Sequence, residues 1–404
     1  MHALTILYSR LFQTVMRLAT RIIRTPEPIL LEGPGSISKV PELLAMNAVS
    51  AVLVVSDRGV VNAGLLEQLL AALKEQNIRA VLYADTTPNP TIEQIEAART
   101  LYLNESLQAA VAVGGGSPID LAKAVLARIV RPDKPIPRMK GILKVGRKLP
   151  LLIAVPTTAG TGSEATLAAV VANPKTLEKY AINDPHLVPA YAVLDPTLTL
   201  RLPKAITAST GMDALTHAVE AFIGKSNTKA TREAAMEAVR LIFKHLAPCV
   251  LQESNLESRA KMQKAAYLAG FAFTRAYVGN VHALAHTLGG YYGVPHGVAN
   301  AVLLPIVLRY YQDKADKPLA KLADLAHVCG PRDTNREKAV KFIEAIEAMN
   351  LAFGLPRWFD VIQEVDIPSM AKKAFAEANP LYPVPVVLEK RDFETILRQA
   401  SRKA

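Results

Sequence analysis

Ala109-Ala-Val-Ala-Val-Gly-Gly-Gly-Ser-Pro-Ile-Asp120 is the stretch that sets the fold class. The apolar run Ala109–Val113 has the length and composition of a buried strand, and Gly114 to Ser117 turn it into a helix over Pro118–Ile129. Glycines let a ligand approach the backbone. A helix start offers unpaired N–H groups and a positive dipole end, and Pro suits the first turn. Gly114, Gly115, Gly116 and Ser117 therefore read as a cradle for a pyrophosphate. An ordinary strand-to-helix turn needs fewer glycines.

The same alternation runs outward from this point. Ala51–Val55, Arg79–Tyr83, Leu151–Val155 and Tyr191–Leu194 read as strands, with helices over Gly64–Gln76 and Thr91–Leu101. Apolar strands alternating with helices imply a parallel sheet covered on both faces. Asp57 follows the first of these strands. A carboxylate there can bond ribose hydroxyls and would repel a 2′-phosphate, which favours NAD over NADP; a turn or capping role is the plainer reading. Pro156-Thr-Thr-Ala-Gly-Thr-Gly-Ser-Glu164 also follows a strand, and Thr157, Thr158, Thr161 and Ser163 gather hydroxyls suited to phosphate and ribose.

After Pro203 nearly everything reads as helix: 208–223, 229–247, 257–274, 281–288, 297–310, 316–328, 336–350 and 389–402. The expected architecture is an α/β dinucleotide-binding domain with a parallel sheet at 28–203, then an all-helical metal-binding domain at 204–404. The metal reading comes from three short segments. Gly211-Met-Asp213-Ala-Leu-Thr-His217 sets a carboxylate and an imidazole at i and i+4, on one helix face. Val281-His282-Ala-Leu-Ala-His286 repeats the spacing with imidazoles, and Pro295-His296-Gly297 follows Gly289-Gly290, where the chain is expected to turn back. Imidazole suits Fe²⁺ and Zn²⁺, and no thiolate lies near. Spacing alone does not say which of Asp213, His217, His282, His286 and His296 stands outside the ligand set.

Composition bounds the rest. The 404 residues suit two domains, and half of them are hydrophobic. The net charge of +11 is not gathered on a reading helix, and aromatics are 6%, so nucleic acid is not an expected partner. Cys249 and Cys329, far apart, are no disulfide framework and suit a reducing cytoplasm. Residues 1–27 stand apart. Leu4, Leu7, Leu11, Val15, Leu18 and Ile22 form an apolar stripe, and Arg10, Arg17, Arg21 and Arg24 cluster on another face. The stripe is expected to pack on the body or on a second subunit, with contact to a membrane surface over residues 1–24 as the alternative.

Taken together, Gly114-Gly-Gly-Ser-Pro118 with Asp120, the 156–164 loop, Gly211–His217 and His282-x3-His286-x9-His296-Gly resemble the iron-containing (group III) alcohol dehydrogenase family. The resemblance covers the chain from about residue 28. It implies a metal-dependent, NAD-linked oxidoreductase of alcohols and aldehydes, self-associating, with one Fe²⁺ or Zn²⁺. Asp213, His217, His282 and His296 match the metal ligands, and His286 matches the histidine near the nicotinamide, a candidate proton relay. Asp57 and Asn89 match residues near the adenosine, and Gly114 to Ser117 match the pyrophosphate loop. Thr157, Thr158, Thr166 and Lys179 match residues lining the phosphates and nicotinamide. Arg275 stands where a small polar residue is frequent, Thr287 where Pro is frequent, and the N-terminal extension lies outside the pattern. Arg275 raises the prospect of an acidic substrate. Enzymes resembling glycerol-1-phosphate dehydrogenase or dehydroquinate synthase, and a non-catalytic scaffold, are the rival readings.

Overall fold

The computed structural model describes residues 2–22, 25–174, 178–252 and 255–401. The chain divides into two compact units, residues 25–202 and residues 1–24 with 203–404.

In the 25–202 unit the described strands are β1 (Ile29–Glu32), β2 (Ala51–Val55), β3 (Arg79–Tyr83), β4 (Ala109–Gly114), β5 (Gly141–Ile142), β6 (Leu151–Pro156), β7 (Ala168–Asn173), β8 (Glu178–Asn183) and β9 (Tyr191–Leu194). One sheet runs in the order β1-β9-β6-β4-β2-β3, parallel throughout. Alternate residues of β2 and β4 serve opposite faces, as a pleated strand requires. Leu53, Val55, Ala110 and Ala112 pack with Ile95 and Ala98 of α5 (Ile92–Asn104) and with Leu121 and Val125 of α6 (Gly116–Val130). Val52, Val54, Val111 and Val113 pack with Leu43 and Leu44 of α2 (Val40–Met46) and with Leu69 and Leu73 of α4 (Glu67–Glu75). Each Val, Leu or Ile among them contributes roughly 1.5–3 kcal/mol on burial.

The chain leaves β2 toward β3 on one side and β4 toward β6 on the other. The carboxyl ends of β2 and β4 therefore bound the switch-point crevice where open α/β sheets bind ligands. The helix expected over 64–76 is α4, which begins only at Glu67 after Gly64 takes φ 70; Asp57 caps a separate short helix before it, α3 (Arg58–Asn62). A second sheet, β5-β8-β7, was not expected from the sequence. The alanines of β7 carry little of the branched bulk that marks a strand.

In the other unit the described helices are α1 (His2–Ile22), α7 (Lys204–Ile223), α8 (Lys229–Leu251), α9 (Leu256–Ala276), α10 (Asn280–Tyr292), α11 (His296–Tyr310), α12 (Asp316–Ala326), α13 (Asn335–Ala352), α14 (Ile367–Ala378) and α15 (Lys390–Gln399). Gly289 and Gly290 do not turn the chain back; α10 runs through them and ends at Gly293, whose φ of 65 is the left-handed cap. The reversal needs a positive φ, and only Gly293 supplies it here. The N-terminal stripe does not pack on the body either. Leu4, Leu7, Leu11, Val15 and Leu18 are exposed, while Ser9 and Gln13 are buried. Among the described residues no helix is long and apolar enough to cross a membrane.

Gly297, in the first turn of α11, has no room for a side chain. A Cβ there would lie 2.3 Å from the Ser209 carbonyl oxygen of α7. Gly297→Ala is therefore expected to cost about 1–3 kcal/mol as the two helices are forced apart. A lower urea midpoint checks it; an unchanged midpoint would show that α11 can retreat.

Candidate metal centre and cofactor loops

α7 presents Asp213 and His217 from successive turns, α10 presents His282, and α11 opens with His296. Each residue offers one ligand atom, and these four atoms lie within 4.8 Å of one another. Asp213, His217 and His282 are buried, and the His296 side chain is 30% exposed. His217 stacks between Phe273 and His282, with ring centroids 4.2 and 4.4 Å away. Asn300, one turn after His296, tests what this cluster wants. Its amide nitrogen donates to Asp213 Oδ1 at 2.6 Å and lies 3.2 Å from both His282 Nε2 and His296 Nε2. An amide carries two hydrogens, so three acceptors around it exceed what it can satisfy. Converging acceptors of this kind, one of them anionic, are a donor set for a divalent cation.

Glu220, which sequence reasoning missed, orients the set. Buried on α7 one turn beyond His217, it accepts from Gly279 N (2.8 Å) and Val281 N (2.8 Å) and lies 2.6 Å from His282 Nδ1. A carboxylate against Nδ1 fixes the proton there and leaves Nε2 as a lone pair aimed at the cluster. Gly279 is required, because a Cβ would stand 2.5 Å from Glu220 Oε1. The signal was present: Asp213, His217 and Glu220 fall at i, i+4 and i+7 of one helix face.

His286 stands one turn on from His282, and its ring stacks on that of His296 with centroids 5.2 Å apart. Its Nδ1 lies 2.6 Å from Glu377 Oε1, which also accepts from the Tyr382 hydroxyl at 2.8 Å. Burial alone would raise the Glu377 carboxyl, but His286 and the Tyr382 hydroxyl outweigh it and bring the group below its usual range. Glu377 sits on α14, a helix absent from the sequence reading.

In the other unit the glycine loop meets the second loop face to face. A Cβ at Gly116 would lie 2.9 Å from Thr161, one at Gly115 3.4 Å from Thr158, and one at Gly114 2.6 Å from Pro118 and 3.3 Å from Asp57 Oδ2. Thr157 N donates to Gly114 O at 2.9 Å, and Asn89 N to Ser117 Oγ at 3.2 Å. Asp57, Asn89, Gly114 to Ser117, Thr157, Thr158 and Thr161 are thus one neighbourhood at the ends of β2, β4 and β6. Asp57 also plays the plainer role, accepting from Val60 N at 2.9 Å as the cap of α3. Lys179 lies on β8, opposite Ala172.

Asp120 and Thr166, two further residues expected at the cofactor, have side chains that also bond within the unit. Asp120 accepts from Ser163 Oγ (2.6 Å) and Val170 N (3.1 Å), and Thr166 Oγ1 bonds Lys123 Nζ (2.9 Å). Fully buried Lys123 is the centre of this lock. Its ammonium also donates to the carbonyls of Ser163 (2.7 Å), Thr166 (2.9 Å) and Ala168 (2.9 Å). Burial lowers it to about 8 against the pull of Asp120 and Glu164. Glu164, buried alongside, is pushed up to about 7 by burial, against its own backbone hydrogen bond and Lys123.

Two outcomes follow from these carboxylates. Glu220→Gln should weaken metal binding by roughly 10–100-fold, since the amide no longer holds the His282 proton in place. Titration with a competing chelator measures it, and an unchanged affinity would make Glu220 merely a packing group. For Glu164, the folded value of about 7 lies above the usual 4.5. Its protonated form contributes stability that is complete below 4.5 and is lost as pH rises through about 7. Glu164→Gln should match the wild-type melting temperature near about pH 5 and exceed it near about pH 8. Parallel melting curves at both values would remove the assignment.

Comparison with known proteins agrees with this geometry in both units. The model described as "Iron-containing alcohol dehydrogenase" matches residues 27–196, and "Fe-containing alcohol dehydrogenase family, C-terminal" matches residues 207–401. The chain is 38% identical over 376 residues to 1,3-propanediol dehydrogenase of Klebsiella pneumoniae, covering 91% of this chain and 96% of that protein. It is 31% identical over 359 residues to NAD-dependent methanol dehydrogenase of Bacillus methanolicus, covering 87% and 94%. The solved alcohol dehydrogenase from Oenococcus oeni superposes with a TM-score of 0.90 at 35% identity, over 93% of this chain and 99% of that one. With both halves matched and four side chains able to hold a metal ion gathered at one point, this chain belongs to the iron-containing alcohol dehydrogenase family, as a metal-dependent, NAD-linked oxidoreductase of alcohols and aldehydes.

Proposed function

We propose that the chain interconverts small neutral primary alcohols or diols and their aldehydes, with Asp213, His217, His282 and His296 as the metal ligands. The convergence of those four ligand atoms within 4.8 Å carries the reading. A divalent ion held there supplies Lewis-acid polarisation of the substrate oxygen, and NAD supplies the hydride acceptor. Everything else falls to the chain. Asp213 gives the one negative charge of the ligand set. Glu220 keeps the His282 Nε2 lone pair free for coordination. Glu377 holds the Nδ1 side of His286, which leaves Nε2 to carry a proton between substrate and solvent. Asp57, Asn89, Gly114 to Ser117, Thr157, Thr158 and Thr161 bind the dinucleotide, with Lys179 on its nicotinamide side. The Asp57 carboxylate supports NAD over NADP.

Arg275 supports a neutral substrate. Its guanidinium lies 4.0 Å from the centroid of the Phe271 ring and donates to the Phe271 carbonyl at 3.2 Å. A guanidinium stacked on its own helix is poorly placed to grip a carboxylate. The relatives named for 1,3-propanediol and methanol point to the same substrate class. The lyase-like and scaffold readings have less behind them, since both halves match alcohol dehydrogenases. Free cysteines far apart in the chain suit a cytoplasmic enzyme, and self-association accompanies the family resemblance.

Protein purified without oxygen should carry close to one Fe²⁺ or Zn²⁺ per chain and reduce NAD with primary alcohols or diols. Chelation should abolish this and Asp213→Ala should lower it by about 10² or more, because an open-sided site loses its anionic ligand. Failure to take up either ion would overturn the proposal; uptake with turnover only on carboxylated alcohols would overturn its substrate. His286→Gln should lose most turnover yet keep metal and NADH binding. Full activity across the pH range would remove the relay.

A further inference from the structure

The segment after α14, Pro380-Leu-Tyr-Pro-Val-Pro-Val-Val-Leu388, belongs to no helix or strand. Pro380, Pro383 and Pro385 lack the N–H that a ladder needs, so the carbonyls here must find donors elsewhere. α1 supplies four of those bonds. Gln13 donates to the carbonyls of Pro380 (3.1 Å) and Tyr382 (2.7 Å), and Arg10 to those of Val384 (2.8 Å) and Pro385 (3.0 Å). Arg10 also donates to Gln13 Oε1 at 2.9 Å, which turns the amide nitrogen of Gln13 toward the carbonyls. Lys225 N, in the turn after α7, donates to the Pro383 carbonyl at 2.6 Å. The segment is thus gripped from both places, with Gln13, Tyr382 and Val384 buried.

What the segment carries gives the grip its meaning. The Tyr382 hydroxyl donates to Glu377 Oε1 at 2.8 Å, and the same oxygen lies 2.6 Å from His286 Nδ1. Burial holds the hydroxyl well above its ordinary value, so it remains a donor. Val384 Cγ1 would lie 3.4 Å from a Cβ at Gly279, the residue before α10, the helix that carries His286. Three links therefore join α1 to that ring: Gln13 to the Tyr382 backbone, Tyr382 to Glu377, and Glu377 to His286. α1 precedes residue 27, where the family match begins, so the first link is an addition to the matched body.

We propose that α1 is a positioning element for proton transfer: Arg10 and Gln13 fix the backbone of residues 380–385 so that Tyr382 and Glu377 hold His286 in its working orientation. The proposal rests on the relay role given to His286 above. Simple anchoring of a helix would be served by any free carbonyls. These four include and flank the one residue that reaches Glu377. Hydrogen bonds in series of this kind restrain the last group through the first.

A kinetic cycle on the metal-loaded full chain tests this, with Arg10→Ala/Gln13→Ala, Tyr382→Phe and His286→Gln as its variants. Arg10→Ala/Gln13→Ala and Tyr382→Phe are each expected to lower kcat about tenfold, with the alcohol KM and the metal content per chain held within about twofold. Combined with His286→Gln, neither should lower kcat further, because each acts through that ring. In metal-free protein, Arg10→Ala/Gln13→Ala should also speed amide hydrogen exchange across residues 381–388. Where that double variant fails to fold, Gln13→Ala, which gives up two of the four bonds to the segment, is read by the same measures. Unchanged kcat, unchanged exchange, or an equal fractional loss in the His286→Gln background would overturn the proposal. Full activity of His286→Gln alone would instead remove the relay, and the proposal with it.

Discussion

A buried carboxylate with three donors around it is the contact on which the helical unit turns. Glu220 sits where removal of either backbone N–H partner would strand a charge in an apolar interior, at a cost of several kcal/mol. The chain meets that demand by bending at Gly279, where no side chain fits, so that two amides and the His282 ring reach the same group. The start of α10, the protonation of His282 and the direction of its lone pair follow from one acidic side chain on α7. The stacked rings of Phe273, His217 and His282 then fill the space around it, leaving the imidazoles little freedom to turn.

In the 25–202 unit the organising constraint is closeness rather than charge. Gly114, Gly115 and Gly116 are positions where the backbone of one strand end is pressed against Pro118, Thr158 and Thr161. The glycines read from the sequence as room for a ligand are also room for the neighbouring loop. Both uses need the same absent Cβ, so the packing that joins the two loops also shapes the proposed pyrophosphate cradle.

What could be read in the sequence was what is local. The strands at Ala51, Ala109, Leu151 and Tyr191 are short apolar runs bounded by turn residues, and buried parallel strands leave that trace. The i, i+4 pairs Asp213–His217 and His282–His286 were visible because a helix face is a fixed arithmetic of positions. What escaped depends on contacts between distant segments. Glu377 meets His286 across 91 residues. Lys123 is one of three charged residues in its segment, and nothing in that segment says that it reaches Ser163, Thr166 and Ala168. Asp120 and Thr166 were named from a resemblance, which records which residues recur together and not that their side chains also bond Ser163, Val170 and Lys123. The outward stripe of α1 escaped for the same reason: amphipathicity gives two faces and does not say which one the body takes.

The Lys123 ammonium has a consequence for how the α/β unit breathes. It ties α6 to the loop after β6 and to the first residue of β7. Pulling any one strand of that knot loose exposes a cation and several oxygens at once, so partial fraying gains nothing until all of it has gone. The segment from Gly116 to Val170 should therefore exchange its amide hydrogens as one cooperative block, opening rarely and completely, unlike the loops around it.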